Sequence, residues 1–319
     1  MKTPSKAARA LALLLCAGSA LAQYPSKPIR FIVGFPPGGS ADPTTRIMGA
    51  ALAQQLGQPV VVENRPGADS AIAAEMMTRQ PPDGYTIMFA SNSAMTAAVA
   101  LRKQPAYDPL ADFTPISMVG RATIFFYTHP SVPAATLKEF IEHARANPGK
   151  LVYGTGNPLS ILYNVQLMNS AGISMLHVPY KTTPPALEDI IGGRVSMMLA
   201  DFTTAMPHVN AGTLRPLAVS RIRRSTLFPD LPTMDEAGIK GFNLDTWAGL
   251  VAPAGTPPQV VNKLNGALRK IIDSPEVQAR FKNVGFEGFS STPEELGDFI
   301  KAQLALWGKM IKDANIQMD

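Results

Sequence analysis

The stretch Phe31-Ile32-Val33-Gly34-Phe35-Pro36-Pro37-Gly38-Gly39-Ser40-Ala41-Asp42-Pro43 sets the pattern for the chain: an apolar strand, a glycine-rich turn, a polar capping residue and a proline at the helix start. It recurs as Leu151-Val152-Tyr153-Gly154-Thr155-Gly156-Asn157-Pro158. In both places the proline gives up an N–H that would have no partner in the first helical turn, and Asp42 and Asn157 are expected to cap. The glycines let a ligand approach the main chain closely, and a helix start offers free N–H donors carrying about half a positive charge. Each turn therefore reads as an anion cradle.

Outward from these two turns, strand-like runs alternate with helical segments. Strands are expected at Ile29–Val33, Val60–Glu63 and Thr86–Ala90. A second series is expected at Thr123–Tyr127, Leu151–Tyr153, Met175–Val178, Val195–Leu199 and Leu217–Val219. Helices are expected over Pro43–Leu56, closed by Gly57, and over Ser70–Thr78. Thr136-x-x-Glu139 marks a capping box. The alternation implies an α/β fold with mostly parallel sheets in two similar halves. After Trp247–Ala252 the chain runs through helices opened by Thr256-Pro257, Ser274-Pro275 and Thr292-Pro293, the last reaching about Asp313. This tail is expected to return to the first half and complete it. The division is then residues 23–121 plus 247–319 for one lobe and 122–246 for the other, with crossings near Gly120–Ala122 and Asp245–Trp247.

Lys2, Lys6 and Arg9 precede an apolar run, and Ala20-Leu21-Ala22 offers the small residues that a signal peptidase reads, so residues 1–22 are expected to be an export leader removed after Ala22. The chain has 319 residues with 29 basic and 24 acidic side chains, and the leader holds three of the basic ones and no acid. The remainder carries 26 against 24, with no clustered basic face, which argues against a nucleic-acid partner. The single cysteine, Cys16, lies inside the leader, so disulfides, thiol catalysis and cysteine-held zinc are not expected in the exported chain.

Enzyme motifs are missing from the sequence. Gly34-x-x-x-x-Gly39 begins like a phosphate loop, but Ser40 stands where the lysine is needed. Gly154-x-Gly156-x-x-Leu159 lacks the third glycine of a dinucleotide site. There is no Gly-x-Ser-x-Gly elbow and no His-Glu-x-x-His, and His129, His143, His177 and His208 have no ligand spacing. Catalysis and cofactors are not expected.

Several ordered blocks resemble the substrate-binding receptors of tripartite tricarboxylate transporters, the Bug receptors: Tyr24-Pro25-Ser26-Lys27-Pro28-Ile29-Arg30, Phe35 to Asp42, Val62-Glu63-Asn64-Arg65-Pro66-Gly67-Ala68, Pro82-Asp83-Gly84-Tyr85-Thr86, His177-Val178-Pro179-Tyr180-Lys181 and Ala252-Pro253-Ala254-Gly255-Thr256-Pro257. The resemblance implies a periplasmic, two-lobed type II binding protein that closes on a small organic carboxylate. It implies membrane permease subunits as partners; a signalling alternative, in which the loaded receptor docks on a membrane sensor kinase, stands beside it, and the receptor itself is expected to be a monomer. The expected ligand contacts are Phe35, Gly38, Gly39, Ser40, Asp42, Ala68, Ser91 and Asn92 from the first lobe. From the second they are Thr155, Gly156, Asn157, Ser160, Thr182, Asp201 and Phe202. The chain departs from the family's common pattern at Leu162, where a histidine is usual, at Ala200-Asp201 for Asp-Asn, and at Thr182-Thr183 and Asp69-Ser70 for two Gly-Gly pairs. Leu159, Ile161, Leu162 and Phe202 are expected to make the second wall apolar and to favour an aromatic or alkyl carboxylate over citrate or aspartate.

Overall fold

The computed structural model describes residues 24–156, 158–180, 183–221, 223–226, 228–240, 242 and 246–313. The leader, Asn157, Thr182 and the Asp245 end of the second crossing lie outside the described residues.

Among the described residues, eleven strands form two sheets in the order β11-β4-β10-β3-β1-β2 and β7-β6-β8-β5-β9. The first contains β1 (Ile29–Val33), β2 (Val60–Asn64), β3 (Thr86–Ser91), β4 (Phe113–Ala122), β10 (Thr246–Pro253) and β11 (Phe286–Gly288). The second contains β5 (Ile124–Thr128), β6 (Val152–Thr155), β7 (Leu176–Pro179), β8 (Met197–Asp201) and β9 (Arg215–Val219). The sheets are mixed, which corrects the mostly parallel expectation. β1 pairs in parallel with β2 and β3, and β6 with β7 and β8. β10 runs antiparallel between β3 and β4, and β5 antiparallel between β8 and β9. β5, which follows the first crossing, and β10, which follows the return, are the strands of opposite sense. The two parallel β-α-β cores sit on one side of those strands.

Two strands went unread in the sequence. β4 contains Pro115 and Gly120, both of which argue against a strand. Pro115 falls at a register shift against β10, where a missing donor costs no ladder bond. Gly120 has φ 148°, and a Cβ there would lie 2.2 Å from the Glu287 carbonyl oxygen of β11, so close backbone packing requires the glycine. β11 has only three residues.

The helices of eight or more described residues are α1 (Ala41–Leu56), α2 (Ala71–Thr78), α3 (Leu137–Ala146), α4 (Pro158–Ala171), α5 (Thr183–Ile191), α6 (Phe202–Asn210), α7 (Pro258–Ile272), α8 (Pro275–Asn283) and α9 (Pro293–Asp313). Gly57 closes α1 in the left-handed conformation and donates to Ala53 O at 3.0 Å. At α3, Thr136 accepts from Glu139 N, but the Glu139 carboxylate accepts from Ala135 N rather than from the cap residue itself, one position off the expected box. The first core packs β1, β3 and β10 against α1 and α7 through Phe31, Leu52, Leu250 and Leu264. The second packs Phe126, Phe140, Leu167 and Leu199. α9 belongs to both sides: Leu296 and Ile300 pack with first-sheet residues, while Trp307 and Ile311 join the Phe126–Phe140 cluster of the second.

Candidate functional site

The strand ends and helix starts of the two sheets converge on a cleft of about 770 Å³. On the first-sheet side it is lined by residues 34–41 and 66–70, and by Ser91, Asn92 and Ser93. Gly156, Ser160, Tyr163, Thr183, Pro184, Thr204 and the end of β8, Leu199 to Asp201, line the other side. Ala122, Ile124, Thr246, Trp247 and Ala248, where the chain passes between the sheets, form the floor with Phe286.

The first cradle is built on the start of α1. Helix begins at Ala41, with Ser40 at the cap position and no side-chain cap bond, so Asp42 lies inside the first turn and does not cap as expected. Its carboxylate is occupied on the far side of the turn: Asn64 Nδ2 donates at 2.9 Å and Arg46 Nε at 3.2 Å. Gly38 N–H adds a long bond of 3.4 Å. Burial alone would raise this carboxyl, but the bonds from Arg46, Asn64 and Gly38 outweigh it and hold the pKa below the usual range. Asn64 also donates to Phe35 O at 3.0 Å, fixing the turn from behind. The turn at residues 37–38 brings Gly39 N–H back toward Pro36 O, and among the described residues nothing accepts from the N–H groups of Ser40 or Ala41. A Cβ built on Gly39 meets only Pro36 O, at 3.9 Å, so the cleft side of this turn is open. These donors are the anion-binding element that a helix start provides.

Behind the cradle, Arg30 grips Glu63 with two bonds of 2.7 and 3.0 Å, and Arg65 adds a third at 3.0 Å. The Arg30 bond first, with Arg65 assisting, lowers the Glu63 carboxyl to about 2.

Ser91 and Asn92 end β3 at the cleft. Ser91 Oγ accepts from Ala94 N at 3.4 Å at the start of a π-helical turn, Ser93–Ala97. Asn92 Oδ1 accepts from Trp247 N at 2.6 Å and ties this corner to β10.

On the second side, Gly156, Ser160 and Asp201 line the cleft. Asp201 caps α6, accepting from Thr204 N at 3.2 Å, and burial raises its carboxyl despite that bond. Thr155 is turned away: it is 2% exposed and its Oγ1 lies 2.7 Å from His177 Nε2, beneath a Tyr153–His177 stack. Phe202 also lies off the cleft, packed on Phe125, Phe228 and the backbone at Gly285. Of the expected contacts, Phe35, Gly38, Gly39, Ser40, Ala68, Ser91, Asn92, Gly156, Ser160 and Asp201 are brought together. Asp42, Thr155 and Phe202 are not among the lining residues, and Asn157 and Thr182 lie outside the described residues.

The apolar part of the cleft also differs from expectation. Leu162 is 2% exposed in the second core, and neither it, Ile161 nor Phe202 lines the cavity. Ile124, Leu199, Tyr163, Phe35, Trp247 and Phe286 do so instead. Its place in the motif puts Leu162 on the wall, but at helical spacing it falls on the face of α4 that packs on the sheet. The floor residues at the crossings gave no local signal, because they reach the cleft only through the pairing of β4 with β10.

Among the described residues no three His, Cys, Asp or Glu side chains form a metal-binding group, and no helix is long and apolar enough to cross a membrane.

Comparison with known proteins agrees with this architecture. The family model described as "Tripartite tricarboxylate transporter family receptor" matches residues 44–316. Protein BugT of Bordetella pertussis is 34% identical over 301 residues, covering 92% of this chain and 91% of BugT. A solved periplasmic transporter is 38% identical with a TM-score of 0.84, over 93% of this chain and all of that one. R. palustris Rpa4515, solved with adipate, is 30% identical with a TM-score of 0.85, over 92% and 99% of the two chains. The chain thus has the two-lobed α/β fold of periplasmic binding proteins and belongs to the tripartite tricarboxylate transporter receptor family, the Bug receptors.

Proposed function

We propose that this protein is a periplasmic receptor that captures one small organic carboxylate between its lobes and delivers it to the membrane subunits of a tripartite tricarboxylate-type transporter. The leader is removed after Ala22, and the receptor works as a monomer without catalysis or cofactor. The carboxylate sits on the N–H groups of Ser40 and Ala41, beside Gly39. Phe35, Gly38, Ala68, Ser91 and Asn92 complete that wall, and Gly156, Ser160 and Asp201 close from the other.

The observation that carries this reading is a set of unpaired main-chain donors at the start of a 16-residue helix, open to a two-walled cleft. The described lining contains no lysine, arginine or histidine, so backbone donors are its source of positive potential. The relative solved with adipate supports the ligand class. The crossings at Ala122–Ile124 and Thr246 are where the lobes would hinge.

The test is a thermal-shift panel of citrate, glutamate, adipate, benzoate and phthalate on the wild type and on Gly39→Val. The open space beside Gly39 accepts a Cβ without a clash, so the variant folds, but a branched side chain blocks approach to the N–H groups. The expected result is stabilisation of the wild type by at least one carboxylate, lost in Gly39→Val at unchanged ligand-free Tm. Equal shifts in both proteins would remove the α1 turn from the site.

A further inference from the structure

The turn between β2 and α2 holds a backbone that its own side chains oppose. Ala68, Asp69 and Ser70 have φ of 44°, 52° and 73°, directly after Gly67 at 141°. Three consecutive non-glycine residues in the left-handed region are strained, because each Cβ crowds the following carbonyl oxygen. Strain of this kind persists where the surroundings enforce it, and it concentrates at ligand sites.

The distortion places Ser70 on the cleft wall with a side chain that is 0% exposed and an Oγ that has no hydrogen-bond partner. The oxygen presses on the cradle turn: a Cβ on Gly34 would lie 1.7 Å from it. Gly34 is thus a glycine because Ser70 occupies its side-chain space. A buried hydroxyl without a partner carries the full cost of leaving water, and a ligand oxygen in the cleft is the acceptor that would relieve it.

Asp69, the neighbouring residue, lines the same cleft. With Asp201 it is one of the two acidic side chains in the described lining, against no basic one. Burial raises its carboxyl, opposed by the charge of Arg102.

We propose that Asp69 and Ser70 determine which carboxylates this receptor accepts: the Ser70 hydroxyl donates to a ligand oxygen, and the Asp69 carboxylate, with Asp201 in the same cleft, rejects ligands bearing a second anionic charge. The ligand is then a monoanionic carboxylate. This rests on the carboxylate reading above and narrows it.

The test is calorimetric titration of the full chain with two matched pairs, hexanoate against adipate and benzoate against phthalate, in which the second member adds one carboxylate. The wild type binds a monoanion about tenfold or more tighter than its dianionic counterpart, the size expected from like charges a few ångströms apart in a partly screened cleft. In Asp69→Asn that preference falls by about tenfold, because dianion affinity rises more than monoanion affinity. In Ser70→Ala monoanion affinity falls by about tenfold, while the ligand-free Tm holds or rises, because the variant deletes an unpaired buried hydroxyl. A purely structural serine would lower Tm and leave affinity alone.

A wild type that binds both members of each pair equally, an unchanged preference in Asp69→Asn, or unchanged affinity in Ser70→Ala overturns the proposal. If Ser70→Ala does not fold, the Asp69→Asn preference decides alone. A wild type that binds no member of either pair overturns the carboxylate reading itself, and this inference with it.

Discussion

The two walls of the cleft are built by opposite means. On the first wall the side chains work from behind: Asn64 holds Phe35 O and Asp42, Arg46 holds Asp42, and Arg30 holds Glu63, so the main chain of the cradle turn is left facing the cavity. On the second wall the polar side chains are used up locally. Thr155 engages His177, Asp201 caps α6 while still bordering the cleft, and the rest of the surface is Gly156, Ser160 and the apolar Leu199. A braced backbone fixes where a charged group sits, whereas a smooth wall of small and apolar groups tolerates variation in the ligand body. In this reading the first wall sets chemistry and the second sets shape.

The strongest way to break the comparison is to separate the walls. Arg221, after β9, meets Glu287 of β11 at 2.6 Å, with side chains only 11% and 20% exposed, and Arg221 also donates to Thr123 Oγ1 at 3.1 Å beside the first crossing. Removing one partner leaves a charge desolvated without its counterion, which costs about 3 kcal/mol. Glu287→Ala is therefore expected to lower unfolding free energy by about that amount in urea titrations, and Glu287→Gln by less, since a hydrogen-bond acceptor remains. A loss below about 0.5 kcal/mol would show an ordinary surface pair that does not join the lobes.

The bracing of the first wall is testable by acid. Glu63 titrates at about 2 in the fold against an ordinary 4.5. A lowered carboxylate stabilises fully above its unfolded pKa, and that contribution disappears as pH falls through the folded value. After discounting for screening, since the Glu63 side chain is 23% exposed, the contribution is on the order of 2 kcal/mol. Wild type should exceed Glu63→Gln by about this margin at pH 6, and the margin should shrink steadily between about 4.5 and 2, as urea titrations across the range would show. A margin independent of pH would mean that Glu63 acts by packing.

How far the sequence displayed this asymmetry depends on the range of the forces involved. Strand and helix positions were legible to within a residue or two because they rest on local periodicity, as in Ile29–Val33 and the long helix Pro293–Asp313. The first cradle was legible because glycines, a cap position and a helix start are neighbours in the chain. β4 was not, since Pro115 and Gly120 make sense only against β10 and β11, more than a hundred residues away. The same limit misled the reading of the second wall. Thr155 resembles a ligand contact until His177, 22 residues on, takes its hydroxyl, and Leu162 resembles a cleft residue until the packing of α4 turns it inward. The strained run at Ala68–Ser70 is likewise invisible in a sequence that reads as a helix start.

The finest cut at the comparison is Thr155→Val. The replacement is nearly isosteric, suits a strand, and removes only the hydroxyl that meets His177 at 2.7 Å. His177 is exposed, and partial desolvation of its ring lowers its pKa, so at neutral pH the lost contact is one between uncharged groups and is expected to cost about 1 kcal/mol. Because that hydroxyl supports the strand end from the side away from the cleft, carboxylate affinity should stay within about twofold of wild type, below what a ligand hydrogen bond would register. Calorimetry on Thr155→Val beside Gly39→Val gives the contrast directly: one loses stability and keeps its ligand, the other keeps stability and loses it. A Thr155→Val protein with weakened binding and intact stability would place a second-wall side chain in contact with the ligand, and the division between a wall that sets chemistry and a wall that sets shape would no longer hold.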